Sequence, residues 1–177
     1  RTAVPVHPGK RAVRGGVGCL MRTKMSGPAS ELPAQFLQDL GTYLHLCSRI
    51  EDLASKSICK MNGIQEGSAE WDAEYVRLRF LGTSKLISAF STSANTLPTD
   101  CSWKARFQDL SGWLHKFSNN RHRAVHGVFS FDGQIKLEYV DKKTQKTVSE
   151  RVPPEEIRTI VFDAGRIAQM LSEYVNT

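Results

Sequence analysis

From Phe36 to Met61 the sequence carries one apolar stripe. Phe36, Leu40, Tyr43, Cys47, Ile50, Leu53 with Ala54, Ile58 and Met61 return at spacings of three and four. That is the repeat of an α-helix with one buried face; a strand, whose side chains alternate, cannot bury such a set on one side. Ser30 is placed to cap this helix and Pro33 suits its first turn. Asn62-Gly63 reads as its stop. A helix of about thirty residues exceeds the usual length, so the stripe predicts a helical bundle or a dimer seam.

The same repeat returns three more times. Ser68 can cap a second helix, with Glu70, Asp72 and Glu74 near its positive end and Trp71, Tyr75, Leu78, Leu81, Ile87 and Phe90 on its apolar face. Ser91 to Pro98 is polar, ends in proline and reads as a loop. Asp100 or Ser102 is the expected cap of a third helix through Trp103, Phe107, Leu110, Leu114 and Phe117. Gly127 is its expected end. After Gly127 the period changes from 3.6 to 2. Val128 to Phe131 leads into Asp132-Gly133, a tight-turn signal, and Ile135, Leu137 and Tyr139 then alternate with polar positions. Thr147 to Val152 reads as a third short strand. Pro153-Pro154-Glu155-Glu156 opens the last helix, striped by Ile157, Ile160, Val161, Ala164, Ile167, Ala168, Leu171 and Tyr174. The expected fold is mainly α: an up-and-down bundle of about four helices, with a hairpin or three-stranded insertion at about 128–152 between the last two.

Charge divides the chain. The formal charge is +6, yet residues 1–24 hold six basic residues and no acid. The remaining residues, 25–177, balance 18 basic against 18 acidic side chains, so a basic face cannot be read from the isoelectric point. Residues 1–27 are rich in glycine and proline and read as a disordered basic tail. The tail is expected to be an expression-derived leader or a misplaced start ahead of Met25, rather than a targeting signal. A phosphate-binding arm is a third reading. The domain proper is then 28–177. Cysteines 19, 47, 59 and 101 form no C-x-x-C pair and read as free thiols in a reducing, cytoplasmic setting. No apolar run reaches the ~18 residues of a membrane span, so no membrane partner is expected.

The chemistry concentrates in Asn119-Asn120-Arg121-His122-Arg123-Ala124-Val125-His126-Gly127. Arginine is a fixed cation that can grip a phosphate through two parallel hydrogen bonds. Histidine can give and take protons near neutrality. No Walker-type loop, HExxH or G-x-S-x-G occurs. A zinc site at His122 and His126 lacks a third ligand nearby, and no metal or other cofactor is expected.

An arginine, a polar residue directly after it, and a histidine separated from the arginine by four residues resemble the signature of the HEPN superfamily (higher eukaryotes and prokaryotes nucleotide-binding). The helical surroundings over residues 30–177 agree with it. The resemblance implies a metal-independent endoribonuclease acting as a homodimer, in a toxin or phage-defence context. In such enzymes two motifs share a cleft and the 2′-hydroxyl of RNA attacks, leaving a 2′,3′-cyclic phosphate. Carried over, His126 is the acid–base residue and Arg121 holds the scissile phosphate. His122 orients the pair, and Asn120 and Arg123 support it. An antitoxin or regulatory protein is the implied further partner. Many toxins of the family carry a tyrosine two residues past the histidine, the target of a partner nucleotidyltransferase; here Val128 stands there, which puts that route in doubt.

Helical geometry gives a separate expectation. Positions five apart lie ~140° apart around a helix, so Arg121 and His126 converge poorly within one chain, although an arginine is long enough to swing partly round, while His122 and His126 share a face. The spacing suits a composite site better than a monomeric one. The competing reading is a non-catalytic dimerisation or interaction module, in which His126, Arg121 and Arg123 only satisfy the carbonyls and dipole of a helix end.

Overall fold

A computed structural model describes residues 31–177. The tail, His7, Cys19 and the Ser30 cap lie outside the described residues. The long stripe forms one helix, α1 (Ala34–Met61). It starts after Pro33 and ends at Asn62, with Gly63 at φ +72°, a conformation that favours glycine. Tyr43, Ile50, Ala54 and Ile58 on its stripe are almost fully buried. α1 is the spine: it packs most extensively on the last helix, α5 (Pro154–Val175), and also touches the helices between. Its length is therefore used within one chain, although Leu37 and Leu44 stay exposed on its outer face. Lys60, in its last turn, donates to the Tyr174 and Val175 carbonyls at 3.0 and 3.3 Å. A cation there meets the negative end of α5.

The expected second helix is in fact two, α2 (Ala69–Arg79) and α3 (Thr83–Thr96). The Leu81 amide closes tightly onto the Leu78 carbonyl at 3.0 Å, and Gly82 is extended, at φ −64° and ψ 148°. Glycine is a poor helix former, and the break lets Thr83 donate to Glu51 of α1 at 2.6 Å. The expected loop at Ser91 is also corrected: α3 runs on to Thr96 and ends at Leu97, which precedes Pro98 and is pushed to extended backbone. The next helix, α4 (Lys104–His126), starts after Trp103 with no side-chain cap, so neither Asp100 nor Ser102 fills that role. Ser68 does cap α2, accepting from the Trp71 amide at 3.1 Å. Ser68→Ala is expected to cost about 1 kcal/mol, which calorimetry would read as roughly 2–4 °C in Tm.

Beyond Gly127 the chain forms the antiparallel meander β1 (Val128–Phe131), β2 (Ile135–Val140) and β3 (Thr147–Arg151), in that spatial order. Val128 pairs with Glu138 and Leu137 with Glu150, which keeps Ile135 and Leu137 on the buried face. Phe90, Phe107, Trp103 and Tyr174 meet edge to face or tilted, joining α3, α4 and α5; Phe107 and Tyr174 lie 4.7 Å apart at 86°. The bundle is thus mainly helical, with five helices among the described residues and a three-stranded sheet between the last two. Among the described residues no helix is long and apolar enough to cross a membrane.

Candidate active site

The motif occupies the last turns of α4. Ser118, His122 and His126 stand four apart, so they form one row along the helix, and Arg121 flanks it. This row faces a cleft of about 430 Å³. Arg121, His122 and His126 line it together with Lys85 of α3 and Lys142 of the β2–β3 turn. No aspartate or glutamate is among its lining residues. A near-neutral domain has therefore gathered cations at one place. The five-residue spacing did not keep Arg121 and His126 apart, because an arginine side chain is long enough to reach round its helix.

Each motif side chain is held differently. The Arg121 Nε lies 2.7 Å from the Glu51 Oε1 of α1, an ion pair whose N–H is not aligned on that oxygen. The same Oε1 accepts from Thr83 at 2.6 Å. Glu51 thus fixes the arginine stem, and no hydrogen bond to a described residue engages its terminal nitrogens. His122 sets its Nε2 3.1 Å from the Val140 carbonyl. A carbonyl only accepts, so Nε2 carries a hydrogen and donates it, and the buried Nδ1 has no hydrogen-bond partner among the described residues. The His126 ring centre is 5.0 Å from that of His122. His126 itself is exposed and makes no hydrogen bond with a described residue. It is not engaged as a helix-end cap.

Asn120 and Arg123 lie on the other flank of α4. Asn120 lines a separate cavity of about 280 Å³ with Trp113 and Asp163. Arg123 pairs with Glu150 of β3 and with Glu156 of α5 at 3.1 Å, and lies over the Tyr139 ring at 5.7 Å. It fastens the sheet to the helices and does not enter the cleft. His45 and His115 are exposed, as a surface reading expects. Gly127 closes the site: its amide donates to the Arg123 carbonyl at 3.0 Å, and a Cβ there would collide with that carbonyl oxygen and with the Leu137 side chain.

Sequence reasoning missed Glu51, Thr83, Lys85 and Lys142. The Gly82-Thr83-Ser84 run was the available signal for a helix start at the cleft; the rest carries no local signature. Among the described residues no three His, Cys, Asp or Glu side chains converge as metal ligands. Burial pushes the Cys47 and Cys59 thiols up to about 11, so neither is a ready nucleophile at neutral pH. Compared with known proteins, the chain matches no protein-family model, no curated protein and no solved structure.

Proposed function

We propose that this chain is a metal-independent endoribonuclease of HEPN type that acts as a homodimer. The observation that carries the reading is the meeting of Arg121, His122 and an unengaged His126 at one cleft without acidic lining. In the reaction the 2′-hydroxyl oxygen attacks the adjacent phosphorus and the bond from phosphorus to the 5′-oxygen breaks. The products are a 2′,3′-cyclic phosphate and a 5′-hydroxyl. One proton leaves the 2′-oxygen and one must reach the 5′-oxygen. His126 carries one of these transfers, and the His126 of a second copy supplies the other. The Arg121 guanidinium, steadied by Glu51, faces the charge that builds on the phosphate oxygens. The Val140 carbonyl holds His122, which positions the His126 ring.

Pairing in trans has its own support. Val125 and Val128, on either side of His126 in sequence, are 44% and 68% exposed, and Val140 is 50% exposed. Apolar surface at the rim of a polar cleft suits contact with a second copy. One observation favours the alternative, a non-catalytic interaction module: Arg121 already has a carboxylate partner.

The test is purified protein with a mixed RNA pool, with and without EDTA. Expected are cuts that persist in chelator and leave cyclic phosphate ends, from a species that light scattering sizes as a dimer at micromolar concentration. Intact RNA from a well-folded dimer would give the module reading the site. Cutting that stops in EDTA and returns with a divalent ion would replace the mechanism, and a cutting monomer would remove the pairing.

A further inference from the structure

Three chain segments meet at the cleft, and the motif uses one of them. The second is the start of α3. The Gly82 carbonyl accepts from the Lys85 and Leu86 amides at 2.9 and 3.0 Å, but no side chain caps the helix. The Thr83 and Ser84 amides bond to no described residue, and both residues line the cleft. They stand at the positive end of a helix of 14 residues. Lys85, on the same turn, lines the cleft and has no ion-pair partner among the described residues. The third segment is the β2–β3 turn, which delivers Lys142. That turn is braced from within: Asp141 Oδ1 accepts from the Lys143 and Thr144 amides at 3.1 and 2.7 Å and from the Thr144 hydroxyl at 2.8 Å. The acid beside Lys142 is thereby turned onto its own backbone. Two residues before Gly82, at the corner between α2 and α3, Phe80 is 87% exposed, the most exposed large apolar side chain among the described residues.

We infer that the cleft holds a second phosphate beside the one assigned to Arg121, on Lys85, Lys142 and the first amides of α3, and that its ligand is single-stranded RNA with a neighbouring base stacked on Phe80. The inference rests on the reading of this cleft as an RNA site, but not on cleavage. Two anion seats in one cleft fit a ligand with phosphates in succession, which a polynucleotide backbone provides. An exposed aromatic at the corner fits an unpaired base, whose face is free to stack; bases in a duplex are already stacked on one another. Lysine, a point charge, contributes charge without reading sequence, so the second seat would register the strand without selecting its letters.

The experiment uses the full chain and a fluorescent 2′-O-methyl RNA strand, which lacks the attacking hydroxyl and cannot be cut. Anisotropy titrations at several salt concentrations compare wild type with Lys85→Ala, Lys142→Ala, Phe80→Ala and Phe80→Trp. All three side chains are exposed, so the variants are expected to fold, which circular dichroism checks. Each lysine variant is expected to bind more weakly and to lower the slope of log K against log salt by about 0.7, the loss of one phosphate contact on a single strand. Phe80→Ala is expected to weaken binding roughly 5- to 150-fold at an unchanged slope, and Phe80→Trp to restore it. A duplex of the same sequence is expected to bind more weakly than the single strand. Unchanged slopes in both lysine variants would overturn the second seat, and duplex binding as tight as single-strand binding would overturn the stacking. Variants that behave as expected in a protein that cuts no RNA would leave this inference standing while the nuclease reading falls.

Discussion

Replacing His126 with alanine is expected to slow RNA cleavage by roughly 10²–10⁴-fold while the melting temperature stays where it was. General acid–base catalysis by positioned side chains is worth about this much, and in a homodimer the substitution takes the ring from both copies and so both proton transfers. The unchanged stability follows from exposure: the ring bonds to no described residue, and exposed substitutions of this kind usually move stability by less than about 0.5 kcal/mol. Arg121→Lys is the informative companion. It keeps the charge and can still meet Glu51, but loses the planar fork. A loss of roughly 10²-fold is expected if the guanidinium stabilises the transition-state charge. Single-turnover rates with the protein in excess would separate the two failures: the His126 variant should flatten the pH–rate profile, and the Arg121 variant should lower the plateau and keep the shape. An alanine at 126 that cuts as fast as wild type would return this histidine to the role of a helix terminus.

The second large effect is expected on stability. Gly127→Ala should lose about 1–3 kcal/mol, which calorimetry would read as a Tm lower by roughly 2–12 °C. Its φ of −84° is open to any residue, so the cost is steric. The added methyl meets the Arg123 carbonyl oxygen, which is backbone and already accepts the Gly127 amide, and also meets the Leu137 side chain, which is core. Gly112→Ala is the matched control. It lies on the exposed surface of the same helix, where a Cβ would meet nothing within 4 Å. Alanine there should stabilise the protein by up to about 1 kcal/mol, because glycine is costly inside a helix. Opposite signs at the two positions are the expected result. A Gly127→Ala protein as stable as wild type would mean that the junction between α4 and β1 yields easily.

Local signals were the ones the sequence carried well. The α1 stripe, the Asn62-Gly63 stop, the Ser68 cap and the switch to a two-residue period after Gly127 all depend on neighbours a few residues apart. The break at Gly82 was missed because apolar residues resume soon after it, at Leu86 and Ile87, although the five-residue step from Leu81 to Leu86 leaves the helical phase; the contact that rewards it, Thr83 with Glu51, is made to another helix. The missing cap on α4 has the same character: Asp100 and Ser102 look right locally, yet the chain enters the helix at Trp103. At the site, the His122–His126 row was legible from spacing. The Glu51 partner of Arg121 and the arrival of Lys85 and Lys142 were not, because each comes from a segment distant in sequence. Arg121 stands five positions from His126, and it is the reach of its side chain that brings both to one cleft.

The last turns of α4 perform two jobs on interleaved positions. Arg121, His122 and His126 face the cleft, while Arg123 and Gly127 hold the sheet through Glu150, Glu156 and Leu137. On the proposed reading, mutational tolerance along this one stretch is the sum of two separable signals, one seen in protein abundance and the other in turnover. On that reading, drift at the cleft-facing positions can erase the chemistry and leave the scaffold folded, whereas drift at the sheet-facing positions lowers the stability on which abundance depends. If the proposed activity holds, a lineage of such domains can shed it in a single step and persist as a binding module, and inheritance of the sheet-holding residues says nothing about whether the chemistry survived.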